Sequence, residues 1–265
     1  MRARGLLDPV ATPHLNLKSS SVLVLDQKEG RALYGKNTEA VVPIASITKL
    51  MTAMVVLDAE LPLGDRLTVS EGDIDELKHT RSRLGIGTTL KRDEMLKLAL
   101  MASENRAASA LGRNYPGGIR AFVAAMNQKA VELGMWHTRF VDSTGLSSDN
   151  VSTASDLAKM VQAAYGYQLI RNYTTETSYS VVGVRGRRIQ YRNSNGLVKN
   201  ARWRIGLSKT GYISEAGRCL VMLAWIAAKP VVIVLLDSWG KQTRIGDANR
   251  IKKWIESQRG VQPAG

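Results

Sequence analysis

Three apolar runs late in the chain constrain its fold most: IGLSKTGYI (205–213), RCLVMLAWIAA (218–228) and PVVIVLLD (230–237). Each has the length and β-branched content of a strand. The breaks between them are no longer than four residues, whereas a parallel return needs a crossover of about a dozen or more. The three must therefore pair as antiparallel neighbours. Residues 20–36 read as a hairpin with Gly30 near its turn, free to extend the same sheet. A second hairpin, SYSVVGV followed by RRIQYR, is expected around Gly186.

Between these β regions lies a helical block. The run SITKLMTAMVVLDAEL stays apolar to Leu61, and Pro62 and Gly64 stop it. Helical spacing returns at 89–100 (TLKRDEMLKLAL), in NRAASALGRN just after Ser103, and in GGIRAFVAAMNQKAVELGM, which Gly134 ends. VSTASDLAKMVQAAYGY is a further helix, with Thr153 and Asp156 at capping-box spacing. In the closing helix, DANRIKKWIESQ, the stripe Ala248, Ile251, Trp254 and Ile255 is suited to packing on a sheet. The expected architecture is α+β: an antiparallel sheet made of the N-terminal hairpin and the C-terminal strands with the last helix, covered by a mostly helical block.

Other classes are excluded on composition. The apolar runs at 219–228 and 230–236 are separated by Lys229 and Pro230 and are each too short to span a bilayer. Residues 1–20 lack the continuous apolar core of a secretory signal, so the expectation is either a cytosolic protein or a chain that begins after cleavage of a leader. The single cysteine, Cys219, allows no internal disulfide and falls in a strand-like run, where a buried, unreactive thiol is expected. Net charge is +14, and from residue 181 onward 16 Lys and Arg face 4 Asp and Glu, net +12. That asymmetry suits an anionic partner, a wall polymer or a membrane surface, or simply a solvated face. With no binding motif and few interleaved aromatics, nucleic acid is not expected.

The chemistry must come from few residue types. His14, His79 and His137 occur without HExxH, CxxC or a carboxylate-rich loop, so no metal and no cofactor is expected. A G-x-S-x-G elbow is also missing, and a nucleophile would need a base other than histidine. Lysine can serve. Ser46 and Lys49 of SITK stand three apart, on one face of a helix near its start. With 20 Ser and 15 Lys in 265 residues, about one S-x-x-K arises by chance, so the motif needs company. A lysine base also needs its pKa lowered by burial or a second cation. Ser103-Glu104-Asn105, between helical runs, and Lys209-Thr210-Gly211, on a strand, could provide polar relays and that cation. Gly211 would let a substrate approach the strand backbone.

SITK, SEN and KTG in that order resemble the S-x-x-K, S-x-N, K-T-G triple of penicillin-binding proteins and serine β-lactamases. VVPIASITKLMTAMVVLDA, LALMASENRAASALGR, FVDSTGL and GLSKTGYISEAGRCLVM extend the likeness over about 20–257. They are similar to the D-alanyl-D-alanine endopeptidase branch (penicillin-binding protein 7 type) of the low-molecular-mass penicillin-binding proteins, which are serine DD-peptidases. The resemblance implies a β-lactamase/DD-peptidase-like fold, with a DD-peptidase domain at 20–257, an N-terminal arm at 1–19 and a tail at 258–265. Related carboxypeptidases add a β-rich domain and an anchor after the closing helix, and neither is expected here.

The resemblance also implies roles. Ser46 would be the acylated nucleophile, Lys49 its base, Ser103 the proton relay and Asn105 the amide that holds Lys49 and the substrate. Lys209 would supply the second positive charge and Thr210 would bind the substrate carboxylate. Gly211 and Tyr212 would line the cleft, with the backbone N–H groups of Ser46 and Tyr212 as oxyanion hole. Tyr212 could equally be a packing residue, and Ser103 and Asn105 alone could be helix caps. Glu104 is expected to face solvent. Tyr191-Arg192-Asn193 matches a Y-x-N variant but is read as strand-end structure near the cleft.

The implied activity is hydrolysis of D-alanyl-diaminopimelyl cross-links of peptidoglycan in the periplasm, with β-lactams acylating the same serine. The alternatives are a D-alanine carboxypeptidase, a β-lactamase and a noncatalytic wall-binding or β-lactam-sensing protein. Against the β-lactamase, residues 138–155 contain Asp142 and Asp149 but no Glu to activate a deacylating water.

Overall fold

The computed structural model describes residues 15–258. Most of the arm expected at 1–19 and nearly all of the tail expected at 258–265 lie outside the described residues. Leu17 of the arm is buried just before the first strand.

The central sheet has the order β2-β1-β11-β10-β9, antiparallel throughout. Its strands are β1 (Ser19–Asp26), β2 (Arg31–Lys36), β9 (Arg204–Ile213), β10 (Gly217–Ile226) and β11 (Lys229–Ser238). Both expected features hold: the late runs pair in sequence, and the first hairpin completes the sheet through β1 against β11. Both faces of β10 and β11 are covered, which explains their unbroken apolar sequence. Val221, Leu223, Val232 and Val234 face the helical block. Leu220, Met222, Ile233 and Leu235 face Ala248 and Ile251 of α7 (Thr243–Gln258), with Trp254 and Ile255 partly buried beside them. Cys219 is buried in β10, where burial pushes its thiol up to about 11.

The block on the other face contains α1 (Thr48–Asp58), α2 (Arg92–Met101), α3 (Asn105–Arg113), α4 (Gly118–Glu132), α5 (Ala154–Tyr165) and α6 (Gln168–Thr175). Short ribbons accompany it: β3 (Val42–Pro43) with β6 (Val151–Ser152), β4 (Arg66–Thr68) with β5 (Thr89–Lys91), and the expected hairpin β7 (Ser178–Val182) with β8 (Arg188–Arg192). α1 is buried from Thr48 to Val56, so it is the central helix, and that span is apolar except for Thr48, Lys49 and Thr52. Among the described residues, no helix is long and apolar enough to cross a membrane.

Four local expectations are corrected. α1 begins at Thr48 after a 3₁₀ turn, Ala45–Ile47, and ends at Asp58, with Glu60 at φ 51° turning the chain before Pro62. Thr89–Lys91 is strand, because it pairs with β4, and the helix starts only at Arg92. α6 is a helix that periodicity did not single out, since only Ile170, Tyr173 and Thr174 of its eight residues are buried. Thr153 caps α5 by accepting from Asp156 N (3.1 Å), but the Asp156 carboxylate accepts from His137 N and Thr138 Oγ1, so the reciprocal half of the box is not made.

Candidate active site

Ser46 lies in the 3₁₀ turn that feeds α1, and Lys49 is one residue inside the helix. Ala45, just before the serine, has φ 48°, a left-handed conformation that a non-glycine residue holds only when its surroundings impose it. Two glycines press on it. A Cβ on Gly145 (φ 77°) would lie 2.0 Å from the Ala45 carbonyl oxygen, and one on Gly211 would lie 3.0 Å from Ala45 Cβ and 3.1 Å from Ser46 N. Only residues without a side chain let the loop and the strand touch the nucleophile's backbone.

Lys49 is fully buried, and its Nζ lies 2.8 Å from Ser46 Oγ, 2.8 Å from Asn105 Oδ1 and 2.6 Å from the carbonyl oxygen of Thr144. Burial drives its pKa down from 10.5 to about 7, against the opposing charges of Asp142, Glu104 and Asp75. A neutral amine has two N–H groups and one lone pair. Asn105 Oδ1 and Thr144 O can only accept, so they take both N–H groups. The lone pair is left facing the Ser46 hydroxyl.

Neighbouring residues fix both acceptors. Thr80 donates its hydroxyl to Asp75 Oδ2 (2.6 Å), so toward Asn105 it can only accept, from Nδ2 at 3.1 Å. The oxygen end of the Asn105 amide is thereby turned to Lys49. Thr144 is placed by Asp142, whose Oδ1 accepts from Thr144 N, Thr144 Oγ1 and Gly145 N while Oδ2 accepts from Ser147 N and Asn150 Nδ2. An Asp followed by a left-handed glycine makes such a knot readily.

The third motif arrives on β9, the edge of the sheet. Lys209 is buried and donates to Ser103 Oγ (2.8 Å) and the Thr210 carbonyl (2.9 Å). Its pKa is held well below the lysine range, first by burial and then by the positive charges of Lys49 and Arg244. Ser103, at φ 61°, sits in the tight link between α2 and α3. Thr210 Oγ1 donates to Ser194 Oγ (2.7 Å), and Arg244 of α7 donates to the Gly211 carbonyl (3.2 Å). Tyr212 is exposed, with Arg218 stacked 4.4 Å from its ring centre, so it is not a core residue.

The structure thus brings Ser46, Lys49 and Asn105 into one cluster and Ser103, Lys209 and Thr210 into a second, with Gly211 packed against the Ser46 backbone. Asp75, Thr80, Thr144, Ser194 and Arg244 were not singled out from sequence. Only the DSTG turn around Thr144 had a readable signal.

Glu104 corrects an expectation. It does not face solvent: it is 8% exposed and accepts from Ser82 Oγ (2.6 Å) and, as N-cap of α3, from Arg106 N (3.2 Å). The helix start needs an acceptor there, which turns the carboxylate inward. Tyr191-Arg192-Asn193 is strand-end structure near the cleft, as expected. Tyr191 is buried in β8, and Asn193 donates to the Thr174 and Glu176 carbonyls.

A recess of about 320 Å³ opens beside Asn105 and Thr144, with Asp73, Asp75 and Ser109 in its wall. The larger concavity, about 850 Å³, lies between β2 and α5 and contains none of the motif residues.

Comparison with known proteins shows the family of the chain. A family model described as D-alanyl-D-alanine carboxypeptidase (Peptidase S11) matches residues 8–240. A D-alanyl-D-alanine endopeptidase of Pseudomonas aeruginosa is 49% identical over 243 residues, 91% of this chain and 78% of that protein. The crystal structure of the Streptomyces K15 DD-transpeptidase superposes with a TM-score of 0.83 at 27% identity, covering 92% of this chain and 98% of the other. Penicillin-binding protein D2 of Listeria monocytogenes, in its ampicillin-bound form, gives a TM-score of 0.77 at 29% identity, covering 91% and 98%. A family model spanning most of the chain and a relative at nearly half identity lead to one conclusion: the chain belongs to the D-alanyl-D-alanine carboxypeptidase family.

Proposed function

We propose that this chain is a serine DD-peptidase that hydrolyses D-alanyl-diaminopimelyl cross-links of peptidoglycan through an acyl-enzyme on Ser46. The observation that carries the reading is the Lys49 amine: buried, near neutral, with both N–H groups engaged and its lone pair aimed at Ser46 Oγ 2.8 Å away.

In the reaction, Ser46 Oγ attacks the D-alanyl carbonyl carbon as its proton passes to Lys49 Nζ. The oxyanion is held by the backbone N–H groups of Ser46 and Tyr212. The C–N bond breaks, and the proton taken up by Lys49 passes by way of Ser103, which Lys209 contacts, to the leaving amine, so that Lys49 is neutral again. Water then attacks the ester, its proton returns to Ser46 Oγ, and the acid product leaves. Thr210, with the Lys209 amine and the Arg244 guanidinium nearby, binds the carboxylate next to the scissile amide. A cross-link and a terminal D-Ala-D-Ala both carry a carboxylate there, so the cation site serves an endopeptidase and a carboxypeptidase alike. The naming of the Pseudomonas relative favours the endopeptidase. β-Lactams are expected to acylate Ser46, and the polymer substrate sets the compartment as the bacterial periplasm.

Rapid β-lactam hydrolysis is disfavoured by the state of Asp142. All five of its acceptor contacts go to its own loop, which leaves no free carboxylate to activate a deacylating water. Intact-protein mass spectrometry with penicillin tests the proposal. A persistent adduct on the wild type and none on Ser46→Ala is expected, while quick return to the free mass would indicate a β-lactamase. No adduct at all would leave the noncatalytic reading. Digestion of purified cross-linked muropeptides and of pentapeptide then separates the two peptidase activities.

A further inference from the structure

The basic excess of the last third is not spread evenly. From residue 177 to 214 the chain has eight Lys and Arg and no Asp or Glu. Four of these, Arg185, Arg187, Arg188 and Arg192, lie on the β7–β8 hairpin, all exposed and, among the described residues, with no ion pair or side-chain hydrogen bond. Of the other late cations, Lys229 pairs with Asp26 and Glu29, Arg250 with Asp247, and Lys252 with Glu256, whereas Lys199, Arg202, Lys241 and Lys253 stand singly, exposed and unpaired among the described residues. The hairpin gathers four uncompensated charges within the eight residues 185–192.

Its position is on the rim of the cleft. β8 runs through Asn193 into Ser194, whose hydroxyl accepts from Thr210. On the other side the hairpin leans on the loop that carries Thr80. Arg83 donates to the Gln190 carbonyl (2.7 Å) and stacks 4.2 Å from the Tyr191 ring centre, and Val184 comes within 3.3 Å of a Cβ placed on Gly85. About 25 Å of extended chain separates Gly186 from Ser194, so Arg185, Arg187 and Arg188 flank the site without entering it, while Arg192 stands two residues from Ser194.

We propose that the β7–β8 hairpin is a second contact for the polymer substrate, binding carboxylates of stem peptides neighbouring the one that occupies the cleft. The proposal rests on the peptidoglycan-cleaving reading above. Three features favour this partner. All four charges are arginine, whose planar fork pairs bidentately with carboxylates. Stem peptides of the wall polymer present a carboxylate at repeated intervals, so one peptide in the cleft leaves others within reach of the hairpin. A membrane surface fits less well, since the exposed apolar residues are only Val182 and Val184, without the Trp, Phe or Leu of an interfacial element.

The test uses the whole chain and its Arg185→Ser/Arg187→Ser/Arg188→Ser variant. Co-sedimentation with purified insoluble peptidoglycan is measured at low and high salt, beside penicillin acylation of Ser46. The wild type is expected to pellet at low salt and to release as salt screens the charges. The triple variant should lose about tenfold in bound fraction with acylation unchanged, and the triple Arg→Lys variant should recover part of the binding. Arg187→Glu alone is the second probe if the triple variant fails to be acylated.

Equal pelleting of variant and wild type overturns the proposal, and so does a wild type that does not pellet. Hairpin-dependent binding to phosphatidylglycerol vesicles without binding to peptidoglycan also overturns it, in favour of a membrane. Failure of the wild type to be acylated strikes the peptidase reading instead, and is read separately from sedimentation.

Discussion

The Lys49 amine lies 2.6 Å from the carbonyl oxygen of Thr144, a residue 95 positions further along the chain. This contact, with that to Asn105, decides which way the amine's lone pair points. The catalytic competence of a short helical motif is therefore set by a loop knotted far downstream.

Acylation should follow the protonation of Lys49. Because burial lowers its pKa to about 7, the penicillin acylation rate is expected to rise about tenfold per pH unit below that value and to level off above it. Stopped-flow rates across this window check it, and a flat profile would remove lysine as the base. Stability carries the same sign. Unfolded, the lysine keeps its proton up to 10.5, so between about 7 and 10.5 the unfolded state binds more protons and stability climbs with pH.

Thr80→Val should slow acylation about tenfold, or ~1.4 kcal/mol in the barrier, with little change in Tm. The hydroxyl accepts from Asn105 Nδ2 at an exposed position, so its loss frees the amide to rotate without opening a core. Rates beside thermal melts measure both. Unchanged acylation would show that packing alone holds Asn105.

Gly145→Ala is expected to destabilise the fold by about 3 kcal/mol. The new Cβ would fall 2.0 Å from the Ala45 carbonyl, at a φ of 77° that alanine disfavours. A Tm drop of about 10 °C should accompany slower acylation, since the backbone displaced is that of the nucleophile.

Asp247→Asn should remove about 2 kcal/mol of stability at neutral pH. The carboxylate accepts from Lys18 N, Ser19 N and Ser19 Oγ, and Arg250 pairs with it, tying β1 to α7. Burial alone would raise its pKa, but these donors outweigh it and hold it below 3.8. Its contribution is thus complete above that value and lost as pH falls through the lowered pKa. Urea melts at neutral and acid pH should converge for wild type and variant at the acid end.

Much of this molecule was legible from its residues alone. Late apolar runs with short breaks allow only antiparallel neighbours, and β9, β10 and β11 obey. Ser46 with Lys49, and Lys209 with Thr210, could be paired with chemistry because SITK, SEN and KTG occur together and in that order. Folding alone decided what orients them. Thr144 acts through a backbone carbonyl, a group every residue has, and Thr80, Ser194 and Arg244 act across 25, 16 and 33 positions. Side-chain type is written in the sequence, whereas the direction of a carbonyl or the end of an amide that faces an amine is settled by packing. The nucleophile and base are thus specified locally, and their readiness is a property of the assembled tertiary structure.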